Sequence, residues 1–153
     1  MNRWLTQEEE QAWGPFVLAS LNLMSTLDRE LKAAFNLSHL DYGILDLLSR
    51  NPRHVLRMSE LATTFGVDPS NITYRVRHLE KRNLVERLDC PTDGRGVFAR
   101  ITGDGLALLD KAAPLHFEGV RHHFLDYIEP HQLHTIAEVF SKLRKAQHGE
   151  QAN

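Results

Sequence analysis

Apolar side chains recur at Trp13, Val17, Leu21, Met24, Leu27, Leu31 and Phe35, in steps of three and four. That spacing lays one stripe along a long helix. Thr6 followed by Glu9 reads as a capping box at its start, and acids at 8, 9 and 10 suit the positive end of the helix dipole. Pro15 is expected to kink the first turns. Ser38 with Asp41 opens a second helix carrying Ile44, Leu45, Leu47 and Leu48, which stops at Asn51-Pro52. A short strand is expected next. Ser59 is read as the cap of a third helix, with Leu61, Ala62 and Phe65 inward and Gly66 as its stop.

Asp68-Pro69 places a cap before a proline at the first helical position, and the helix from Pro69 to Arg82 buries Ile72, Val76 and Leu79. Asn83 can take the left-handed conformation that ends it. Leu84 to Asp89 and Val97 to Ile101 read as strands joined by a loop rich in Pro, Asp and Gly. From Asp104 the helical period returns at Leu106, Leu109, Ala113, Phe117, Val120, Phe124 and Tyr127, with Pro114 a possible bend. Glu129-Pro130 breaks it, and a last helix carries Leu133, Ile136, Val139, Phe140 and Leu143. The fold class is mainly α with a small β-hairpin wing, α+β. Residues 37–102 read as a winged helix-turn-helix lobe, and 6–36 with 103–147 as a helical dimerisation region, within one domain over 1–153.

Charge sharpens this picture. The chain has 153 residues and a net charge of −2, but residues 50–102 hold ten Arg/Lys against six acids, while the remainder holds eight against fourteen. A basic segment in an acidic chain is the footprint of a polyanion-facing module. The single Cys90 cannot form an internal disulfide, and no apolar run approaches a membrane span. With no signal segment apparent at Met1 to Glu10, a cytoplasmic location is expected. A glycine-rich phosphate loop, a G-x-S-x-G motif and a recognisable Cys-His spacing are all missing, so no catalytic site and no cofactor are expected.

In a helix-turn-helix the second helix offers its outward side chains to base edges. With Ile72, Val76 and Leu79 inward, that set is Ser70, Asn71, Thr73, Tyr74, Arg75, Arg77 and His78. Asn can bridge an adenine edge, Arg a guanine edge, and a Thr methyl can touch the thymine methyl. Arg95, at a glycine-flanked tip, can enter a narrow minor groove, with Asp93 holding its guanidinium in one direction. Arg57, Ser59 and Thr63 are placed against phosphates. A winged-helix module that contacts protein instead of bases is the other reading.

The S-E-L-A segment, the stretch D-P-S-N-I-T-Y-R-V-R-H-L-E-K-R-N-L-V-E-R and the D-x-R wing ending in I-T-G-D-G resemble the MarR family of bacterial transcriptional regulators. The resemblance covers nearly the whole chain. It implies a homodimer with intertwined first and last helices, bound to a pseudo-palindromic operator, acting as a repressor relieved by a small ligand. Asn83 stands where Gly is usual in the family, and Gly96 where a second Arg is frequent. Family members often sense small aromatic anions between the dimerisation helices and the DNA-binding lobe. The candidate lining here is Trp13, Phe16, Ser20, His39 and Tyr42, an aromatic wall with hydroxyls and an imidazole suited to a phenolic or carboxylate ligand. Redox sensing through Cys90 is disfavoured, because Asp89 and Asp93 would raise its thiol pKa. Nine histidines make a zinc site conceivable, with His116 and His123 seven apart and His131 and His134 three apart. No H-x-x-x-H appears and no metal is expected.

Overall fold

The computed structural model describes residues 4–89 and 96–149. Six helices and three strands follow in the order α1 (Gln7–Phe35), α2 (His39–Arg50), β1 (Val55–Arg57), α3 (Met58–Phe65), α4 (Pro69–Lys81), β2 (Val85–Asp89), β3 (Val97–Ile101), α5 (Gly103–His123) and α6 (Pro130–Gly149). A 3-10 turn at Leu125–Tyr127 lies between the last two. This is the expected mainly helical architecture with a small antiparallel sheet. None of the described helices is long and apolar enough to cross a membrane.

Local chemistry sets most of the element ends. Thr6 and Glu9 exchange bonds across the first turn of α1, which runs through Pro15 as one helix. Ser38 and Asp41 do the same for α2. Gly66 closes α3 at φ 62°, and Asn83 follows α4 at φ 56°, both in the left-handed region. Asn83 is more than a tolerated substitute for glycine. Its side-chain N–H donates to Asp104 Oδ2 at 2.8 Å and ties the end of α4 to the start of α5.

Two expectations need correction. Ser59 does not cap α3, which starts at Met58: the cap position is Arg57, two residues earlier, and its backbone N–H donates to Glu60 at 2.8 Å. The stripe running through Phe124 and Tyr127 is not one helix. Phe124 leaves helical geometry at φ −135°, ψ −60°, and α5 ends at His123. Pro114, by contrast, sits inside a continuous α5.

The sheet order is β1-β3-β2, with Val55 opposite Arg100 and Val85 opposite Ile101. The core lies between this sheet and α2, α3 and α4, through the fully buried Ile44, Leu45, Leu48, Leu61, Ile72, Val76, Leu79 and Val85. Leu31 of α1 with Leu109 and Ala112 of α5 close it from the other side, so the long helices share one core with the lobe. Gly105 permits the closest approach: a Cβ there would lie 2.1 Å from the Leu84 carbonyl oxygen.

Candidate nucleic-acid interface and the cavity behind it

Helix α4 is fixed from both ends and from beneath. Asp68 accepts the Ser70 N–H at 2.8 Å, and the Ser70 hydroxyl and N–H hold its carboxyl below the ordinary range. Ile72, Val76 and Leu79 are fully buried. Ser70, Asn71, Tyr74 and Arg77 stand exposed on the opposite side. The other three expected readers are partly engaged. Thr73 is half-buried, its hydroxyl donating to the Pro69 carbonyl at 3.0 Å. His78 is half-buried, with Nδ1 enclosed.

Arg75 departs most from the sequence reading. Its guanidinium lies 3.7 Å from the buried carboxylate of Asp41 in α2, and its Nε is enclosed without a hydrogen-bond partner among the described residues. It also sits over the Tyr74 ring, 5.4 Å from the centroid. The reason is tertiary: Arg75 flanks the buried stripe, and the first turn of α2 presents a carboxylate there.

Arg57, Ser59 and Thr63 are exposed. Arg57 lies over the Phe98 ring at 5.0 Å. Arg57 and Ser59 share a depression of about 350 Å³ with Thr73, Arg87 and the base of the wing at Gly96 and Val97. Thr63 instead faces a groove toward Arg144 and His148 at the end of α6. Arg87, which pairs with Glu80 at 3.0 Å, was not among the sequence candidates. Its position in the L-V-E-R segment on a strand entering the wing was the available signal. Asp93, Arg95 and Cys90 lie outside the described residues.

Behind the lobe, a cavity of about 620 Å³ opens between α1, α5 and α6. Of the five residues named from the sequence, Phe16, Ser20 and His39 line it. Trp13 and Tyr42 do not. Trp13 is 58% exposed and rests on Phe16, ring centroids 5.9 Å apart. Tyr42 is buried behind the wall, its ring 4.2 Å from that of His116, and burial pushes its hydroxyl pKa up, with the charge of Asp46 adding to the effect. The remaining wall comes from Leu27, His116, Val120, Phe124 and Phe140. Sequence reasoning missed the α5 and α6 contribution, because a periodic stripe does not show which other helix it meets. Burial holds the His39 and His116 imidazoles below the ordinary histidine pKa of 6.5. His123 is engaged with Glu30 at 2.6 Å. Among the described residues no group of three or more His, Cys, Asp or Glu is placed to hold a metal ion.

A family profile described as MarR family matches residues 35–96, from the end of α1 to the wing. The structure superposes with a TM-score of 0.89 on Sco3205, a MarR family transcriptional regulator from Streptomyces coelicolor, solved in complex with DNA. The two are 36% identical, over 95% of this chain and 91% of that one. This chain belongs to the MarR family. AbsC, another MarR family regulator from Streptomyces coelicolor, gives a TM-score of 0.87 and 34% identity over 97% of this chain and 99% of its own. The HTH-type regulator YkoM of Bacillus subtilis is 30% identical over 50% of this chain, and the match spans about half of that relative (48%). The fold is therefore that of a MarR family transcriptional regulator, a family that is not enzymatic.

Proposed function

We propose that this MarR family chain acts as a homodimeric repressor that holds a pseudo-palindromic operator and releases it when a small effector enters the cavity. The observation that carries the reading is the outer face of α4. Its inner face is locked in the core, while Asn71 and Arg77 stand free with the chemistry to bridge adenine and guanine edges. Ser70 and Tyr74 flank them. Arg57, Ser59 and Arg87 provide the adjoining seat for backbone phosphates, and the sequence assigns the neighbouring minor groove to Arg95 with Asp93, which lie outside the described residues. That the similar regulator Sco3205 was solved in complex with DNA supports DNA binding by this chain.

Residues 37–102 then form the reading lobe, and 6–36 with 103–147 the dimer arms. Helix α6 has no buried residue, and Leu18, Leu21 and Val139 are 64%, 65% and 54% exposed. Apolar surface on this scale marks an interaction site, and a second copy of the same arms covers it. The cavity at the root of the arms is of ligand size and mostly apolar.

Selection of DNA fragments by the purified protein tests the reading. The expected result is a palindrome whose half-sites lie about one helical turn apart. Arg77→Ala should relax preference at particular bases, costing about 1–3 kcal/mol. A lack of duplex binding at low salt, or an asymmetric single half-site, overturns it.

A further inference from the structure

The cavity has the wrong polar groups for a simple anion site. Its walls are apolar, through Leu23, Leu27, Val120, Phe124 and Phe140, and no Lys or Arg lines it among the described residues. Its polar groups are Ser20 and three imidazoles, of which His123 is committed to Glu30. That leaves His39 on α2 and His116 on α5, with ring centroids 5.3 Å apart. His116 Nδ1 is enclosed and has no hydrogen-bond partner among the described residues.

We propose that the cavity is proton-coupled: an occupant with one negative charge on an apolar body enters together with one proton, which rests on the His39–His116 pair. This rests on the effector reading above. The empty cavity favours neutral imidazoles, because burial disfavours their charged forms and each would repel the other's charge. A carboxylate among apolar walls without a counter-charge is strongly disfavoured. One proton on the pair removes both penalties at once, and mutual repulsion at this separation keeps the count at one.

The surrounding charges leave that proton to the ligand. From α1, the charge of Asp28 opposes the burial that lowers the His39 pKa without overcoming it, and its carboxylate already holds Lys32 at 2.6 Å and the His39 backbone N–H at 2.8 Å. Glu30 is taken by His123. From α2, Asp46 lies within the field of His116 but pairs with Arg50 at 2.9 Å, and the Tyr42 hydroxyl stays protonated. From α4, Arg75 acts on Asp28. Helix α6 contributes Phe140, which carries no charge.

The test compares benzoate, ionised throughout the range, with the neutral benzamide, by titration calorimetry of the full chain in two buffers of different ionisation enthalpy. Benzoate should take up close to one proton per site, and its affinity should rise by up to about tenfold per pH unit as pH falls from about 8 to about 6.5. Benzamide should bind without either effect. Replacing both, His39→Gln with His116→Gln, leaves no imidazole on the pair and should flatten the benzoate slope while benzamide binding reports an intact cavity. Benzoate binding without proton uptake, or benzamide binding alone, overturns the coupling and leaves the effector cavity standing. Proton uptake that survives the double substitution overturns the assignment to this pair. Binding of neither probe overturns the effector reading and the coupling with it.

Discussion

Arg82 joins the helix proposed to read DNA to the helix proposed to dimerise, and its removal has a calculable consequence. It caps the C-terminus of α4, and its guanidinium donates from Nη1 to the Asn36 carbonyl at 2.6 Å and from Nη2 to the Phe35 carbonyl at 3.0 Å. These carbonyls end α1, where the helix dipole is negative and intrahelical donors have run out. A net hydrogen bond to a charged group contributes about 1.5–3 kcal/mol when enclosed, and a cation at a helix C-terminus about 0.3–1 kcal/mol. Arg82 is only half-buried, so solvent screening cuts the sum, and Arg82→Ala should lose about 1–3 kcal/mol in total. Arg82→Lys keeps the charge but loses the fork, and should fall between Ala and the native chain. Urea denaturation at one fixed protein concentration reads the loss, since oligomerisation makes stability concentration-dependent. High salt should shrink the gap between Lys and Ala. A loss below about 0.3 kcal/mol for Ala, or a Lys variant as stable as the native chain, refutes the idea that this fork holds α1 to α4.

Asp41→Asn removes the charge facing Arg75 while leaving a group that can still accept the Ser38 N–H, bonded now at 2.8 Å, and should cost about 1–3 kcal/mol in denaturant midpoint. A double-mutant cycle with Arg75→Gln that shows no coupling would count against that pair. Gly105→Ala drives a Cβ into the Leu84 backbone and should cost about 2 kcal/mol or more, whereas Gly103→Ala, which meets nothing within 4 Å, should be neutral or stabilising; equal effects from the two would refute the close approach. Because His39 and His116 titrate lower in the folded chain than the ordinary 6.5, the unfolded chain binds more protons just below that pH. Stability should therefore rise with pH through that window and level off above it, and a melting temperature that stays flat between about pH 5 and 8 contradicts this.

Where a residue's structural role is set by its immediate neighbours, the chain could be read directly. The capping boxes at Thr6 and Ser38, the Asp68-Pro69 start and the left-handed stops at Gly66 and Asn83 are all chemistry within four residues. The four-then-three spacing of Ile72, Val76 and Leu79 likewise identified the buried side of α4. The failures share a cause. Ser59 lost the capping role because Glu60 reached the Arg57 N–H, a choice between adjacent polar residues that propensity does not rank. The end of α5 at Phe124 is invisible to periodicity, since Phe124 keeps the apolar pattern while its ring turns into the cavity. Outward placement of Arg75 followed from helix geometry alone, and a carboxylate on another helix overrode it. Tyr42 was assigned to the cavity for its aromatic character, yet it packs behind the His116 ring that does line it.

The two capping boxes show how one sequence signal acquires two meanings. Thr6 and Glu9 are exposed, and their bonds do nothing beyond starting α1. Ser38 and Asp41 carry the same reciprocal pair, but Asp41 is 1% exposed. Burying that carboxylate would be costly if capping were its only role, since one exposed acid caps as well. In the same turn the His39 N–H reaches Asp28 of α1, Asp41 faces Arg75 of α4, and Tyr42 packs on His116 of α5. One helical turn thus touches the arm, the outer helix and the cavity wall. His39 sits between Ser38 and Asp41, the two partners of the capping box, so the cavity wall and the buried acid belong to the same first turn of α2. The buried acid is therefore best understood by what it joins, and its burial together with the three-dimensional position of Arg75 distinguishes it from the exposed acid at Glu9.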